Sequence, residues 1–141
     1  IVEEGKEQEA IMRLARVGYD NTIGYLEGGI AAWKAAGKDV ESIDSVSAAD
    51  FAAGVNADPS LITLDVRKPG EYDTEHLDFA LSNPLDYIND WMPEIKKDQT
   101  YYIHCAGGYR SMIAASILKA RGVDQVINVL GGYGAIKALE A

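Results

Sequence analysis

The chain has 141 residues, of which 48% are hydrophobic and 25% are charged, a composition that indicates a folded globular protein and excludes a disordered tail. Its formal net charge of −9 disfavours nucleic acid and anionic membranes as partners, because both repel an acidic surface. We expect neither partner, and we expect a cytoplasmic location, since the sequence shows no bilayer-spanning apolar stretch and no signal segment. The first residue is Ile1 rather than methionine, so we expect a piece of a longer protein.

Residues 1–40 contain a pattern that recurs near the end of the chain. Residues 14–29 parallel residues 118–132 in the order of their leucines, glycines and isoleucines. We therefore predict that 1–40 is the C-terminal half of a degenerate repeat and that 41–141 is a complete copy. The alternative explanation is that the two segments are similar only because each follows a common order of helix, turn and strand. In the ungapped alignment Ile1 stands opposite Cys105, so the first copy is predicted to lack a nucleophile.

From Ser47 onward, short apolar runs alternate with helical patterns, which is typical of a parallel sheet with crossover helices. Ser47 is predicted to cap the first of these helices. The remaining helices are predicted over 69–72, 85–95, 110–120 and 133–139, and the strands over 61–65, 80–81, 100–104 and 126–129. Trp33, Trp91 and Met92 are predicted to lie in the core.

Cys105 is the only cysteine of the chain and stands between a predicted strand and a predicted helix. Ligands bind at that edge of open α/β sheets. Gly107 and Gly108 let successive N–H groups converge on one negative charge, and the helix dipole adds about 0.3 to 1 kcal/mol. The pKa of Cys105 is therefore predicted to lie below the value of about 8.5 for a free thiol.

The residues around Cys105 predict a reactive nucleophile rather than a small buried hydrophobe, because their types serve no packing purpose. Arg110 is predicted to act beside Cys105 by binding an anionic donor such as thiosulfate, and Ser111 to donate a hydrogen bond to the sulfur. The predicted substrate-binding residues are Ala106, Gly107, Gly108, Tyr109 and Ser111.

Two further residues, Asp65 and Arg67, flank the end of a predicted strand near this loop and are predicted to support it. We expect Arg67 to pair with Glu71 and so fix the following turn, in preference to a catalytic role. The two histidines, His76 and His104, are too few and too scattered to indicate a metal site, so we expect no metal and no cofactor. The segment 132–134 is predicted to be a turn rather than a dinucleotide-binding fingerprint.

From about Ile43 to the end, the chain resembles the rhodanese family of sulfurtransferases. The motifs that carry the resemblance are Leu64-Asp65-Val66-Arg67 with Pro69 and Glu71-Tyr72, His76-Leu77, Asn83-Pro84-Leu85, the loop His104 to Ser111, and Val129-Leu130-Gly131-Gly132. Glu75 departs from the family pattern, which has glycine there. The resemblance implies an α/β fold with a doubly wound parallel sheet flanked by helices, and a cysteine that becomes a persulfide before passing sulfur to a thiol or cyanide.

Two other functions are alternatives to sulfur transfer. A rhodanese-like module can serve as a non-catalytic binding or regulatory domain. Such modules usually lack the cysteine, which is present here. Cysteine-dependent phosphatases share the architecture but place five residues between cysteine and arginine. Here four residues separate Cys105 from Arg110, and a smaller ring suits a single sulfur atom, so sulfur transfer is favoured.

The expected partners are a small-molecule or protein sulfur donor and a separate sulfur acceptor. The arrangement of a copy without a nucleophile before an active copy also resembles the tail of fusion proteins with an upstream metallo-β-lactamase-fold domain. We therefore expect an upstream domain in the full-length protein. Residues 1–40 should leave an apolar face around Ile11, Leu14, Ile23 and Leu26, which predicts packing on the active domain or a homodimer.

Overall fold

The computed structural model describes residues 2–16 and 18–139, and the chain divides into two compact units, Ile1–Ser42 and Ile43–Ala141. The first unit contains two helices, α1 (Glu7–Ala15) and α2 (Gly29–Ala35). Ile23, which the repeat aligns with a strand residue, lies between them in a segment with no strand structure and is 98% exposed. Ile1, the predicted counterpart of Cys105, lies outside the described residues.

The turn before α2 has a counterpart near the end of the chain. Gly28 and Gly131 are both left-handed, with φ of 73° and 74°, and each precedes a helix. The glycines that follow them, Gly29 and Gly132, have φ of 53° and 57°. The two turns therefore share one backbone conformation, while the duplication of a whole module stays a prediction.

The second unit is built on a sheet of five parallel strands. The strands are β1 (Asp44–Val46), β2 (Ile62–Asp65), β3 (Ala80–Ser82), β4 (Tyr101–His104) and β5 (Val126–Val129), in the order β1-β5-β4-β2-β3. The chain leaves β2 toward one edge of the sheet and leaves β4 toward the other. The crevice between the carboxyl ends of these two strands is therefore the ligand-binding position of such a sheet.

Five helices follow the order that the sequence predicts: α3 (Ala48–Ala57), α4 (Pro69–Thr74), α5 (Ile88–Trp91), α6 (Tyr109–Ala120) and α7 (Gly132–Lys137). The predicted cap of α3 is confirmed, because the hydroxyl of Ser47 accepts the N–H of Asp50 at 3.1 Å. Pro69 occupies the first turn of α4, where its missing N–H costs no hydrogen bond.

The prediction of one helix over 85–95 is wrong. The segment is a 3-10 turn (Leu85–Tyr87), the four-residue α5, and a second 3-10 turn (Met92–Glu94). Pro93 explains the break after Trp91, because proline inside a helix removes a hydrogen bond and clashes with the preceding turn. The apolar spacing still holds, since Ile88 is buried and Trp91 and Met92 pack against the same core.

Helices cover both faces of the sheet, as the alternation of side chains along β4 shows. Tyr101 and Ile103 belong to a core that includes Ala114 and Leu118 of α6. Tyr102, between them, packs on the other core, which Phe51 of α3 and Ile136 of α7 share. The doubly wound α/β arrangement is thereby confirmed. Among the described residues, no helix is both long and apolar enough to cross a bilayer.

Candidate active site

Cys105 directly follows β4, at the carboxyl edge of the central strand of the sheet. The residue is 1% exposed, and the N–H of Gly108 donates to its sulfur at 3.1 Å. Gly108 has φ of 102°, a left-handed conformation that turns the chain back into α6. The loop therefore encloses the sulfur and directs backbone donors at it, as its two glycines predict.

The pKa of Cys105 reflects two opposing influences. Burial raises the pKa, whereas hydrogen bonds from the Ser111 hydroxyl and from the N–H groups of Ser111, Gly107 and Gly108 lower it, and the net shift is downward. The thiolate is thus stabilised by donors of its own loop, in agreement with the direction that the sequence predicts. A lowered thiol pKa at a strand end makes Cys105 a candidate nucleophile.

Ser111 contacts the sulfur from the first turn of α6. Its Oγ lies 3.5 Å from Sγ of Cys105 and 3.1 Å from the carbonyl oxygen of Gly108. A hydroxyl has one hydrogen to donate, so it serves one of these acceptors at a time. Ionisation of Cys105 turns the sulfur into the stronger acceptor, and Ser111 can then stabilise the negative charge.

Arg110 forms a bidentate ion pair with Glu71, which sequence reasoning missed. Nη1 of Arg110 lies 2.5 Å from Oε2 of Glu71, and Nη2 lies 2.9 Å from Oε1. The hydrogen bond to Arg110 is the largest cause that holds the pKa of Glu71 at about 2. The two residues are 39 positions apart, and they meet because α4 and α6 follow the neighbouring strands β2 and β4.

The expected pairing of Arg67 with Glu71 is therefore wrong. Arg67 pairs instead with Asp65, from Nε to Oδ2 at 2.9 Å and from Nη2 to Oδ2 at 2.6 Å, and both residues are buried. Arg67 also donates to the carbonyl oxygen of Glu75 at 2.8 Å. The pair fixes the chain at the end of β2, next to the cysteine loop.

The turn that begins α7 supports the cysteine loop through its backbone. The N–H of Tyr133 donates to the carbonyl oxygen of Cys105 at 2.7 Å, and the N–H of Gly134 donates to that of Ala106 at 3.1 Å. The ring of Tyr133 also stacks on Arg67, with 4.0 Å from the guanidinium carbon to the ring centroid. The segment 132–134 thus helps to build the site, beyond the simple turn that its sequence predicts.

His104, the residue before the cysteine, is fully buried. Its Nε2 lies 3.9 Å from Oδ2 of Asp65. Burial lowers the pKa of His104 despite the opposing effect of that carboxylate, so the imidazole is neutral at neutral pH. A neutral imidazole adds no positive charge behind the sulfur. Stabilisation of the thiolate comes from the N–H groups and the hydroxyl of the loop, together with the charge of Arg110, whose own pKa Cys105 helps to raise.

The structure brings the residues predicted from the sequence to one place but gives them different exposures. Cys105 and Ser111 are buried, Gly108 and Arg110 are half-buried, and the remaining loop residues Ala106, Gly107 and Tyr109 are exposed. Tyr109 is 80% exposed. Within residues 2–16 and 18–139, no cluster of His, Cys, Asp and Glu is arranged to hold a metal ion.

Comparison with known proteins points to one family. The sequence pattern of the rhodanese-like domain matches residues 47–139. A putative sulfur carrier protein, YrkF of Bacillus subtilis, is 35% identical over 95 residues, which cover 67% of this chain and 51% of that protein. The tRNA uridine(34) hydroxylase of Erwinia tasmaniensis is 33% identical over 103 residues, covering 65% of this chain and 29% of the hydroxylase.

A solved structure shows the same similarity. The crystal structure of a rhodanese-like domain protein from Staphylococcus aureus superposes with a TM-score of 0.63 at 30% identity, covering 67% of this chain and 91% of that one. The matched region corresponds in size to the second unit. In contrast, the chain spans about half of the sulfur carrier protein and less than a third of the hydroxylase.

Proposed function

Because this chain belongs to the rhodanese-like domain family, we propose that its second unit is a sulfurtransferase in which Cys105 carries sulfur as a persulfide. The donor is thiosulfate or a persulfide, and the acceptor is a thiol or cyanide. The observation that carries the proposal is the ring of donors around one buried sulfur atom, from the N–H of Gly108 at 3.1 Å to the hydroxyl of Ser111 at 3.5 Å.

In the first step, the thiolate of Cys105 attacks the outer sulfur of the donor. A bond forms between Sγ and that sulfur, and the bond between the outer and inner sulfurs of the donor breaks with its electron pair on the leaving group. The N–H groups of Gly107, Gly108 and Ser111, which lower the pKa of Cys105, are in place to stabilise negative charge on the persulfide.

In the second step, the acceptor attacks the outer sulfur of the Cys105 persulfide. The bond between the two sulfurs breaks, its electrons return to Sγ, and the thiolate is regenerated. Cys105 is the only cysteine in these 141 residues, so no second thiol of this sequence can act as the acceptor. The acceptor is therefore a separate molecule or a segment outside this sequence.

The burial of Cys105 favours sulfur transfer over phosphate hydrolysis. The residue is 1% exposed, and its loop is closed by four residues before Arg110. A terminal sulfur atom can enter such a ring, whereas a phosphoryl group needs space for three oxygens around the phosphorus. The guanidinium that a phosphate would need is also held by Glu71.

The names of the relatives agree with a sulfur-related role but do not specify it. One is named a putative sulfur carrier protein and the other a tRNA uridine(34) hydroxylase. Both are longer than the region they share with this chain, so their additional parts can serve activities of their own. The shared feature that we transfer is sulfur chemistry at Cys105.

The proposal is tested by thiocyanate formation from thiosulfate or glutathione persulfide with cyanide as acceptor. We expect turnover by the wild type and a loss on the order of a thousandfold or more in Cys105→Ser, because the reaction has no other nucleophile. Ser116→Ala, an exposed change on α6, is the matched control and should retain activity. Turnover that persists in Cys105→Ser would refute the proposal.

A further inference from the structure

The ion pair between Arg110 and Glu71 controls the only positive charge of the loop 105–111. Both Nη atoms of Arg110 face the carboxylate of Glu71, at 2.5 Å and 2.9 Å. Bidentate pairing of this kind combines two charge-assisted hydrogen bonds in one plane. Both Nη atoms of the guanidinium are therefore already hydrogen-bonded to Glu71 before a sulfur donor binds.

Glu71 is held in this position from a second side. The N–H of Lys68 donates to Oε2 of Glu71 at 3.1 Å, as the start of α4 requires. The carboxylate thus accepts hydrogen bonds from the residue that precedes α4 and from α6 at once. Since both contacts fix its position, Glu71 is a built element of the site rather than a mobile surface group.

The pair is formed by two charged groups at neutral pH. The pKa of Glu71 lies at about 2, because of its hydrogen bond to Arg110, and the same contact raises the pKa of Arg110. The formal charges of the two side chains cancel. The loop therefore presents its backbone dipoles to a sulfur donor. The charge of Arg110, which also acts on Cys105, is balanced mainly by Glu71, and the whole chain carries −9.

Donors differ in how much negative charge they bring to this loop. With thiosulfate, Cys105–S⁻ and S–SO₃²⁻ give Cys105–S–S⁻ and SO₃²⁻, so three formal negative charges meet at the loop. With an alkyl persulfide, Cys105–S⁻ and R–S–S–H give Cys105–S–S–H and R–S⁻, so one formal negative charge is present, or two when the outer sulfur of the persulfide is ionised; both counts are below that for thiosulfate. Like charges in a partly buried site repel strongly. Thiosulfate, which brings the sulfonate, therefore meets more repulsion at the loop than an alkyl persulfide does.

Building on the proposed sulfurtransferase function, we propose that Glu71, by holding Arg110, makes this site select alkyl persulfides over thiosulfate as donors. A sulfonate must displace the carboxylate from Arg110, and the displaced carboxylate then remains next to the loop and repels it. An alkyl persulfide has no sulfonate. It is therefore served by the hydrogen-bonding groups that already surround Cys105. Glu71 is thus a positioning residue that determines specificity through Arg110.

The test compares wild type, Glu71→Gln and Glu75→Gln with two donors, thiosulfate and 2-hydroxyethyl persulfide, and with cyanide as acceptor. Glu75→Gln is the matched control, because it also removes one carboxylate from an ion pair, that with Lys137. In Glu71→Gln we expect kcat/KM for thiosulfate to rise on the order of tenfold, mainly through KM, as one contact to a charged group is gained. Persulfide turnover should change by less than about threefold.

The outcomes separate this inference from the proposed function. Equal changes with both donors in Glu71→Gln, or the same thiosulfate gain in Glu75→Gln, would overturn the selectivity while leaving sulfur transfer intact. Absence of turnover by the wild type with either donor would overturn both.

A measurement on the wild type covers the case in which Glu71→Gln fails to fold. Sodium sulfate, a dianion that transfers no sulfur, should inhibit persulfide turnover only at concentrations far above the KM for the persulfide. Competitive inhibition by sulfate at or below that KM would show that Arg110 is available to dianions, and would contradict the inference.

Discussion

Gly132 lies so close to the carbonyl group of Cys105 that a Cβ atom at position 132 would overlap the carbonyl oxygen. Gly132 is buried and has φ of 57°, in the left-handed region that favours glycine. The next N–H along the chain, that of Tyr133, donates to the same carbonyl at 2.7 Å. The backbone of the cysteine loop therefore rests directly on the first turn of α7.

Gly132→Ala should displace the cysteine loop. The left-handed conformation costs alanine about 1 to 2 kcal/mol, and overlap with packed backbone costs about 1 to 3 kcal/mol. We expect the free energy of unfolding in urea to fall by about 2 to 5 kcal/mol, together with a loss of sulfur transfer. Gly70→Ala is the control, because a Cβ there meets open space. A Gly132→Ala protein with wild-type stability and activity would contradict the close approach.

Asp65→Asn should be strongly destabilising, because it leaves the buried guanidinium of Arg67 without its carboxylate. Breaking one partner of a buried pair costs about 3 to 5 kcal/mol. The double variant Asp65→Asn/Arg67→Met should recover part of this loss, since it removes the unpaired charge as well. Urea unfolding of the wild type and the variants measures both effects. Additive losses in the double variant would show that the two side chains are not coupled.

Ser111→Ala should raise the pKa of Cys105. The hydroxyl is among the groups that lower this pKa, so its removal destabilises the thiolate. The measurement is the rate of alkylation by iodoacetamide as a function of pH, whose midpoint reports thiolate formation. We expect the midpoint in Ser111→Ala at higher pH than in the wild type. Ser116→Ala, which loses a hydrogen bond to Met112 on the same helix, should leave it unchanged; an unshifted Ser111→Ala midpoint would exclude the assigned role.

The ion pair of Glu71 should contribute stability that depends on pH. Its pKa in the folded protein is about 2, below the ordinary value of 4.5. The contribution is therefore complete above about pH 4.5 and is lost as pH falls toward 2. Since the carboxylate is 37% exposed, solvent screening limits the effect to about 1 kcal/mol or less.

Urea unfolding at pH 6 and at pH 2 checks this linkage. Wild type should be more stable than Glu71→Gln at pH 6, and the two should converge at pH 2. Asp73→Asn, which removes an exposed carboxylate from α4, controls for the loss of one negative charge. A difference between wild type and Glu71→Gln that is the same at both pH values would show that the charge of Glu71 does not stabilise the fold.

The strands and the cysteine loop could be predicted from the sequence because their signals are local. A buried strand is a short run of apolar residues, and the loop is a contiguous set of glycines, arginine and serine after Cys105. The limits of the helix over 85–95 depend on Pro93, whose effect on the backbone outweighs the apolar spacing around it. Local pattern therefore predicts the elements better than it predicts their continuity.

Pairings between distant residues could not be predicted in the same way. Arg67 and Glu71 are four residues apart, which suggests a helical ion pair, but Arg67 precedes α4 and turns toward Asp65 instead. Glu71 meets Arg110 only because β2 and β4 are neighbours in the sheet. The expectation of a core position for Trp33 is also wrong, since its side chain is 41% exposed; apolar character alone does not identify the surface that covers a residue.

The central claim, that Cys105 carries sulfur, is tested most directly by intact mass spectrometry of the protein after treatment with thiosulfate or 2-hydroxyethyl persulfide and removal of the donor. Wild type should gain one sulfur, roughly 32 Da, and lose it on addition of cyanide. Cys105→Ser should gain nothing. An unchanged wild-type mass with both donors, or the same gain in Cys105→Ser, would contradict the claim.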